Sequence, residues 1–453
     1  MFAVSALLTF ATLAAYMPPG AHAFWRLACP RDALVRERAD PIVSPGVASG
    51  HLHVVHGGAG FALNTTFDAM RASDCTSCEI ANDKSNYWTP SLWFNDPKTG
   101  KVEPVNGGGI LVYYLQRGDS AANLTAFPAG FRMLAGDMTL RSKKFEDGEG
   151  SQGELAERAL KWSCLRYTDG ATGYDGYGFP NTRCEAGFQS RLHMPNCWDG
   201  KNLDTKDHKS HVAYMSIMDN GKCPDTHPVP FISMFYEQTW DTGDFDARWD
   251  PATDKWPFVW SHGDPTGFGY HGDFIMGWDV QTLQSAIIEC NNQTPDTAAG
   301  RAEGCKYFDM QTSDAGRSCT VKAEVDEVVT GVLDRLPGCN PIQDGPDDAK
   351  VYSAATCPLD GGAPVPAPEP SPAPVPTPTP APEPETPAPS PSPVPEPEEP
   401  TPSPSPSPEP IPAPHAPGPV TPPPEDGDDG DDDDSETCTK KTRRSKKRRL
   451  SAY

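Results

Sequence analysis

The chain has 453 residues, among them 52 prolines and 13 cysteines, and its formal net charge is −24 at pH 7. A chain this acidic lacks the basic surface that binding to phosphate backbones requires, which excludes a general nucleic-acid-binding protein. Only one apolar run approaches the length of a membrane span and no segment repeats at a period of solenoids or propellers, which excludes multi-spanning membrane proteins and repeat proteins.

The N-terminus carries the pattern of a secretory signal. Residues 3–16 form an apolar run that is too short to cross a membrane and is typical of a signal peptide. The small-x-small site at residues 21–23 would leave Phe24 as the first residue of the mature protein. Three sequons are acceptors for glycosylation in the secretory pathway: Asn64-Thr-Thr, Asn123-Leu-Thr and Asn292-Gln-Thr. We predict a signal peptide over residues 1–23 and a secreted glycoprotein without a membrane anchor, in the extracellular space or cell wall.

The cysteines support an oxidising compartment. Twelve of the 13 lie between Cys29 and Cys357, and Cys438 stands alone near the C-terminus. An even number in one region indicates up to six disulfides, whose connectivity the spacing leaves open. Cys75 and Cys78 form a CxxC pair, but no second pair follows at zinc-finger spacing, so a structural disulfide is favoured.

Residues 24–360 are predicted to form the globular domain. Short β-branched and aromatic runs bounded by turn residues predict strands, for example at 110–115, 230–236 and 256–260. Apolar residues at helical spacing predict helices at 152–161, 280–290 and 325–336. We therefore expect a mostly β domain, a sandwich or a jelly-roll-like fold, with a few peripheral helices and long loops held by disulfides.

The composition changes abruptly after residue 360. Residues 361–424 contain 30 of the 52 prolines, which predicts an extended, disordered linker without a core. Residues 425–453 begin with an acidic run at 425–434 and end with a basic run at 440–449. Binding to anionic wall polymers, dibasic processing and a solvated tail whose charges partly cancel remain open interpretations of this segment.

The histidines concentrate in segments that also carry aspartate. His51 and His53, two residues apart on a predicted strand, point to the same face of a sheet. Two imidazoles on one strand face form half of a common site for Zn or Cu. One of His208, His211 or His271 would supply the third nitrogen.

We predict two overlapping sets of site residues. The metal ligands would come from His51, His53, His208 and His211, and the ion, if present, would be Zn or Cu. The catalytic set would comprise His51, His53, Asp207, His208, His271 and Asp273. The aspartates, together with Asp264, would serve as ligand, orienting group or general base. Buried histidines that bond to a carbonyl or a carboxylate are common, so a purely structural role stays open for each of them.

Other catalytic patterns are missing from the sequence. No GxGxxG or GKS pattern supports nucleotide binding, and no GxSxG elbow supports an esterase. The aromatic residues can stack on sugar rings, although packing in the core is the commoner role of such residues.

Several sequence blocks resemble those of a known family. The blocks are DPIVSPG, SGHLHVVHGG, FRMLAGD, NCWDGKNLDTKDHKSHVAY, CPDTHPVPF and GDPTGFGYHGDFIMGW, in this order between about residues 24 and 290. They resemble a large, mainly fungal family of secreted proteins, the domain of unknown function numbered nineteen ninety-six. The resemblance implies a secreted, disulfide-bonded domain and places the predicted site residues inside the family's blocks, but it implies no activity. His262 stands where the family pattern has Asn, so it is left out of the predicted sites.

These observations lead to one main functional hypothesis and two alternatives. The main hypothesis is a secreted enzyme, with a metal-dependent or His/Asp site, that acts on extracellular or cell-wall polysaccharide. The first alternative is a non-catalytic cell-wall or surface protein that binds glycans, and the second is a metal-binding protein without catalysis. The sequence leaves open whether the protein is an enzyme.

Overall fold

The computed structural model describes residues 24–30, 33–119, 123–168, 170, 173–290 and 300–360. The chain divides into two units, Met1–Ser371 and Pro372–Tyr453, and all described residues belong to the first unit. The predicted signal peptide, the Asn292 sequon, the Pro-rich linker, the charged tail and Cys438 lie outside the described residues. The domain boundaries predicted from composition therefore stay predictions.

Strands dominate the described residues, and the largest sheet has six of them. Their order is β1 (Phe24–Pro30), β7 (Gly107–Leu115), β15 (Ser233–Trp240), β11 (Phe188–His193), β9 (Leu160–Cys164) and β10 (Tyr174–Gly176), with every neighbouring pair antiparallel. The runs predicted as strands at 110–115 and 230–236 lie mostly in β7 and β15.

A second sheet has five antiparallel strands. Their order is β2 (Val35–Glu37), β3 (His53–Gly57), β4 (Asn86–Pro90), β17 (His271–Ile275) and β8 (Arg132–Gly136). Alternate residues of a strand point to opposite faces, so each strand contributes to two different environments. Val54 and Tyr87 belong to the main core, whereas Val55 and Trp88 pack in a separate cluster on the other face.

The two large sheets pack face to face. The hydroxyls of Tyr87 and Tyr114 are 2.7 Å apart, and Thr89 Oγ1 donates to Gln238 Oε1 at 2.7 Å. Both contacts join a strand of the five-stranded sheet to a strand of the six-stranded sheet, because Tyr87 and Thr89 lie on β4 and their partners on β7 and β15. The prediction of a mostly β, sandwich-like domain is confirmed.

Two three-stranded sheets and a few helices surround this sandwich. The small sheets have the orders β13 (Val212–Ala213), β12 (Cys197–Trp198), β14 (Val229–Pro230), and β16 (Phe258–Trp260), β5 (Leu92–Asn95), β6 (Val102–Pro104). The α-helices among the described residues are α1 (Phe67–Arg71), α2 (Gln152–Arg158), α3 (Val280–Glu289) and α4 (Ser313–Ser318). Short 3-10 helices lie at Thr242–Arg248, Ala302–Gly304, Ala354–Thr356 and Pro358–Asp360. None of the helices in these ranges has the length and apolar character of a membrane span.

Two of the three predicted helices are confirmed, and α3 shows why. Asp279 caps its N-terminus by accepting a hydrogen bond from the Thr282 N–H at 2.8 Å. Leu283, Ala286 and Ile287, spaced three and four residues apart, form its buried face.

The helix predicted at 325–336 is wrong. Leu333 exchanges two backbone hydrogen bonds of 2.8 and 2.9 Å with Val102 instead, and Gly331 adopts a positive φ of 77°. The apolar residues that suggested a helix face, among them Leu336, pack against Trp93 and Val102 from an extended segment. Pairing with a distant strand has outweighed the local helical pattern.

The cysteine prediction is confirmed: the twelve cysteines of the domain form six disulfides. The pairs are Cys29–Cys78, Cys75–Cys319, Cys164–Cys184, Cys197–Cys223, Cys290–Cys305 and Cys339–Cys357. The two cysteines of the CxxC pair belong to different disulfides, so this motif is structural.

Candidate metal centre

Three histidines converge on the face of the five-stranded sheet that points away from the six-stranded sheet. His53 lies opposite Pro90 of β4, and Asp273 of β17 lies opposite Trp88. Two residues further along the same register, His271 falls in the row of His53 and Pro90, so both imidazoles project from one face. His51 precedes β3 by two residues, and its ring centroid is 4.3 Å from that of His53. We call His51, His53 and His271 the histidine cluster.

The ring nitrogens of the cluster are as close together as the ligands of one metal ion. One nitrogen from each residue lies within 4.8 Å of the other two, and Nε2 of His51 is 2.9 Å from Nε2 of His271. Nitrogens bound to one ion at about 2.1 Å are about 3.0–3.4 Å apart for angles between 90° and tetrahedral, and at most about 4.2 Å apart. The separation between His51 and His271 is close to this range, and the other two separations would reach it by a movement of the side chains.

Backbone carbonyls fix which nitrogen of two histidines carries a lone pair. Nδ1 of His53 lies 3.0 Å from the Ala39 carbonyl, and Nδ1 of His271 lies 3.2 Å from the Gly269 carbonyl. A nitrogen that faces a carbonyl must carry the hydrogen, which leaves Nε2 of both rings as an acceptor or ligand. Nε2 of His53 is buried and has no hydrogen-bond partner within the ranges that the structure describes. A positive ion between the three rings would satisfy it.

The position of His271 depends on a turn that Asp264 organises. Oδ1 of Asp264 accepts from the Thr266 N–H at 2.7 Å, and Oδ2 accepts from the Gly269 N–H at 2.7 Å. The turn therefore holds the Gly269 carbonyl that accepts from His271. Gly136 allows the close approach of the neighbouring strand, because a Cβ at this position would lie 2.8 Å from the His271 Cα.

The cluster is closed to solvent. The exposed fractions are 5 % for His51, 0 % for His53 and 4 % for His271. The segment before β3 is held down by Ser261, whose hydroxyl donates to the Leu52 carbonyl at 2.6 Å, and by Asn340, whose amide donates to the Gly50 carbonyl at 2.9 Å.

Burial keeps the three imidazoles neutral near pH 7. It lowers the pKa of His53 to about 4 and, together with the nearby His53 ring, lowers the pKa of His271 to about 3. Burial and the neighbouring rings also hold the pKa of His51 well below its usual range. Neutral imidazole is the form that binds a metal ion.

Comparison with known proteins gives a family but no activity. The model of a family described as a domain of unknown function, DUF1996, matches residues 40–278. The chain belongs to the DUF1996 family. No curated protein and no solved structure matches it significantly. The matched region contains the whole histidine cluster and Asp264.

The DUF1996 domain brings a fourth histidine to the cluster that the sequence analysis left out. The His262 ring centroid is 5.3 Å from those of His51 and His271, and both of its nitrogens are buried without a hydrogen-bond partner. It also lines a cavity of about 20 Å³, which has room for about one water molecule. The family pattern, which has Asn at this place, argued against His262, whereas its place in the block before His271 could have pointed to it.

Two buried aspartates, Asp40 and Asp273, lie in the segments that surround the cluster. Asp273, two residues after His271, is fully buried, and neither carboxyl oxygen has a hydrogen-bond partner. Burial, with Asp40 nearby, raises the pKa of Asp273 well above its usual range. Asp273 lies on the same strand as His271, and its predicted role in the site stays a prediction.

Two histidines predicted as ligands lie outside the cluster, which corrects the predicted arrangement. Nδ1 of His211 lies 3.1 Å from the Thr205 hydroxyl and its Nε2 lies 2.8 Å from the Arg132 carbonyl, so both ring nitrogens already have protein partners. Nδ1 of His208 lies 2.8 Å from Asp204. The third nitrogen of the set comes from His271 instead.

Asp207 has structural surroundings, whereas His56 is buried and both of its ring nitrogens lack a hydrogen-bond partner among the described residues. Asp207 is exposed and accepts from the N–H and hydroxyl of Ser210 at 3.0 and 2.8 Å. Burial would raise the pKa of Asp207, but hydrogen bonds from Ser210, Thr205 and Lys209 outweigh it and lower this pKa. His56, three residues after His53, points to the opposite face of the sheet, as the alternation along a strand requires.

Proposed function

We propose that this DUF1996 protein is a secreted protein that binds one transition-metal ion, Zn²⁺ or Cu²⁺, through His51, His53 and His271. The observation that carries the proposal is the convergence of three neutral imidazoles, among which Nε2 of His53 is buried without a hydrogen-bond partner in the described part of the chain. Three imidazoles are a ligand set that both ions favour.

Secretion is the second part of the proposal. Six disulfides need an oxidising compartment to form. Two of the sequons, at Asn64 and Asn123, are exposed and therefore accessible to glycosylation. The predicted signal peptide would direct the chain into this pathway.

Catalysis on cell-wall polysaccharide is an extension of this proposal that requires the metal centre to become accessible. A polymer can reach the metal only if the segment before β3 or the segment around Asn340 moves away, because the cluster is buried. His51, His53 and His271 would then bind the ion, and Asp273, which is on the same strand as His271, would be a candidate for proton transfer. In the closed arrangement, the ion would stabilise the fold instead.

A non-catalytic glycan-binding function is supported by a different surface. Tyr113, Phe235 and His193 form a row across three strands of the six-stranded sheet, on the face away from the core. Phe24 of β1 lies diagonally beside this row, with its ring centroid 6.2 Å from that of Tyr113. Each of these rings is partly exposed. Beside them, the Tyr113 hydroxyl donates to Glu237 at 2.7 Å. A flat row of partly exposed rings with polar groups at its side can stack on sugar rings.

Metal analysis tests the main proposal. The full-length secreted chain is incubated with Zn²⁺ or Cu²⁺ and dialysed, and bound metal is measured by elemental analysis. We expect about one ion per chain, and a loss of nearly all of it in His53→Ala. His208→Asn is the matched control, because Asn tolerates the positive φ of 57° at this position and the residue lies outside the cluster. Metal retained by His53→Ala, or less than about a tenth of an ion in the wild type, would contradict the proposal.

Two assays separate the enzyme from the glycan-binding protein. Retention on insoluble wall polysaccharide should fall in Tyr113→Ala and Phe235→Ala, and should persist in Tyr167→Ala, which removes an aromatic ring that is 86 % exposed outside the row. Release of soluble sugar that stops in His53→Ala would support metal-dependent catalysis. Release that continues in this variant would remove the metal centre from catalysis.

A further inference from the structure

A cavity of about 370 Å³ lies beside the edge strand β8, and it contains none of the histidines of the cluster. Its walls come from α2, β8, β9 and the segments around residues 143, 177, 212 and 268. The volume falls within the range of sites that bind small molecules, about 300–1,000 Å³. The cavity is thus large enough for an organic ligand of moderate size.

The walls of the cavity are mainly apolar. Trp162 and Leu160 line it from β9, and Phe145, Tyr177 and Phe268 line it from loops and are partly exposed. Aromatic rings that line a cavity lack van der Waals contacts on the side that faces the cavity, and an apolar ligand would supply those contacts. The chemistry of the walls therefore favours an apolar molecule over a sugar.

Most polar groups of the cavity already have partners. Gln152 exchanges two hydrogen bonds with the Tyr214 backbone, and Glu157 accepts from the N–H groups of Lys144 and Phe145. The ammonium group of Lys143 pairs with Asp147 at 2.6 Å. Lys144 pairs with Asp348 at 3.0 Å. These groups shape the cavity without offering strong free hydrogen bonds to a ligand.

Lys209 is the lysine of the cavity that has no salt bridge among the described residues. The cavity also contains the carboxylate of Asp137, whose Oδ1 accepts from the N–H and hydroxyl of Thr139 at 2.9 and 2.7 Å and whose charge interacts with Lys209 at longer range. The ammonium group of Lys209 donates to the Gly136 carbonyl at 2.5 Å, and within the described ranges it has no carboxylate at ion-pair distance. Lys209 is half-buried, so its charge is partly shielded from water. An ammonium group in this position has two further hydrogens to donate, and a carboxylate is the complementary partner.

We propose that this cavity binds an apolar monocarboxylic acid, with its hydrocarbon body between the aromatic walls and its carboxylate on Lys209. An ammonium group without a salt bridge in a largely apolar cavity is an arrangement that can recognise such an amphipathic anion. The body can be the alkyl chain of a fatty acid or the ring of an aromatic acid, because both satisfy the same walls. This proposal is independent of the metal centre, since it rests on other residues.

Binding measurements with the full-length chain test the proposal. Decanoate and cinnamate serve as the aliphatic and the aromatic acid, and decanol and cinnamyl alcohol as their neutral counterparts. Binding is followed by titration calorimetry and by the fluorescence of the tryptophans, of which Trp162 lines the cavity. We expect saturable binding of at least one acid. The affinity for the corresponding alcohol should be at least about tenfold lower, a difference of about 1.4 kcal/mol in binding free energy. The acid that binds more tightly identifies the body that the cavity prefers.

Three variants connect the binding to this cavity. Lys209→Met keeps a long unbranched side chain without its charge. It should lower the affinity for the acid at least about tenfold, to the affinity measured for the alcohol. Ala156→Phe places a ring into the cavity from α2 and should abolish the binding of both ligands. Lys206→Met removes an exposed charge outside the cavity and should change nothing. The melting temperature of each variant is measured, so that a loss of binding is attributed to the cavity only when the protein is folded.

Three outcomes would overturn the proposal. The first is the absence of saturable binding of either acid to the wild type. The second is equal affinity for acid and alcohol, which would remove the role of the carboxylate. The third is unchanged binding of the acid by both folded Lys209→Met and folded Ala156→Phe, which would place the ligand elsewhere.

Discussion

Two segments of the domain carry histidine and aspartate in similar density, yet their side chains are in opposite situations. In the segment from Asp204 to His211, every histidine nitrogen named above has a nearby protein partner, and Asp207 closes a turn through its own neighbours. In the histidine cluster, Nε2 of His53 is buried without a partner among the described residues, and so are both nitrogens of His262 beside the cluster. The first arrangement is complete within the protein, whereas the second lacks a partner that a ligand would supply.

This difference gives a criterion that residue patterns do not contain. A histidine with satisfied nitrogens stabilises a fold, and a buried nitrogen without a partner costs free energy unless something binds it. The predictions below test whether the criterion separates the two segments.

The largest effect on stability is expected for Asp264, which organises the turn before His271. Asp264→Ala removes a buried acceptor and the carboxylate nearest to the buried Arg141, which lies 3.7 Å away. We expect the free energy of unfolding to fall by about 3–5 kcal/mol. Asp207→Ala, in the segment from Asp204 to His211, should lower the free energy of unfolding by about 1 kcal/mol, the usual cost of losing a side chain that caps backbone N–H groups. Chemical denaturation measures both, and equal losses would contradict the difference between the two regions.

Metal binding should stabilise the folded protein through the histidine cluster and not through the segment from Asp204 to His211. At an ion concentration about a hundred times the dissociation constant, a site in the native state alone adds about 2.7 kcal/mol to the free energy of unfolding. We expect Zn²⁺ or Cu²⁺ to raise the melting temperature of the wild type and of His208→Asn, and to leave that of His271→Ala unchanged. Scanning calorimetry with and without the ion measures this. An equal rise in His271→Ala would place the ion elsewhere.

Substitution of His211 tests whether the segment from Asp204 to His211 is structural only. This residue is fully buried, and its two nitrogens lie within hydrogen-bond distance of Thr205 and Arg132. His211→Ala should lower the free energy of unfolding by about 2 kcal/mol, because two hydrogen bonds are lost. The affinity for the metal ion should not change. If titration calorimetry shows a weaker metal affinity in this variant while the fold is retained, His211 belongs to the site after all.

The sequence was sufficient to predict the parts of the site that depend on local geometry. Alternation along a strand predicted that His51 and His53 share one face, and their rings are indeed close although β3 begins only at His53. It also explains why His56 lies on the other face. The choice among His208, His211 and His271 as third nitrogen depends on which strands are neighbours. That order follows from the pairing of β4 with both β3 and β17, which connects residues far apart in the chain. The segment 325–336 was predicted wrongly for the same reason, because its structure is set by Val102 and Trp93.

The smallest effect is expected for His262, and it decides how far the site extends. His262→Leu keeps a side chain of similar bulk and removes both unpartnered nitrogens, so the free energy of unfolding of the metal-free protein should not fall. If His262 contacts the ion, directly or through a water in the adjacent cavity of about 20 Å³, the metal affinity should fall about tenfold while about one ion per chain still binds. His227→Ala, which removes a partly exposed ring bound to the Ser210 carbonyl, is the control and should leave the affinity unchanged. Unchanged affinity in His262→Leu would limit the metal centre to His51, His53 and His271, and would make His262 a packing residue.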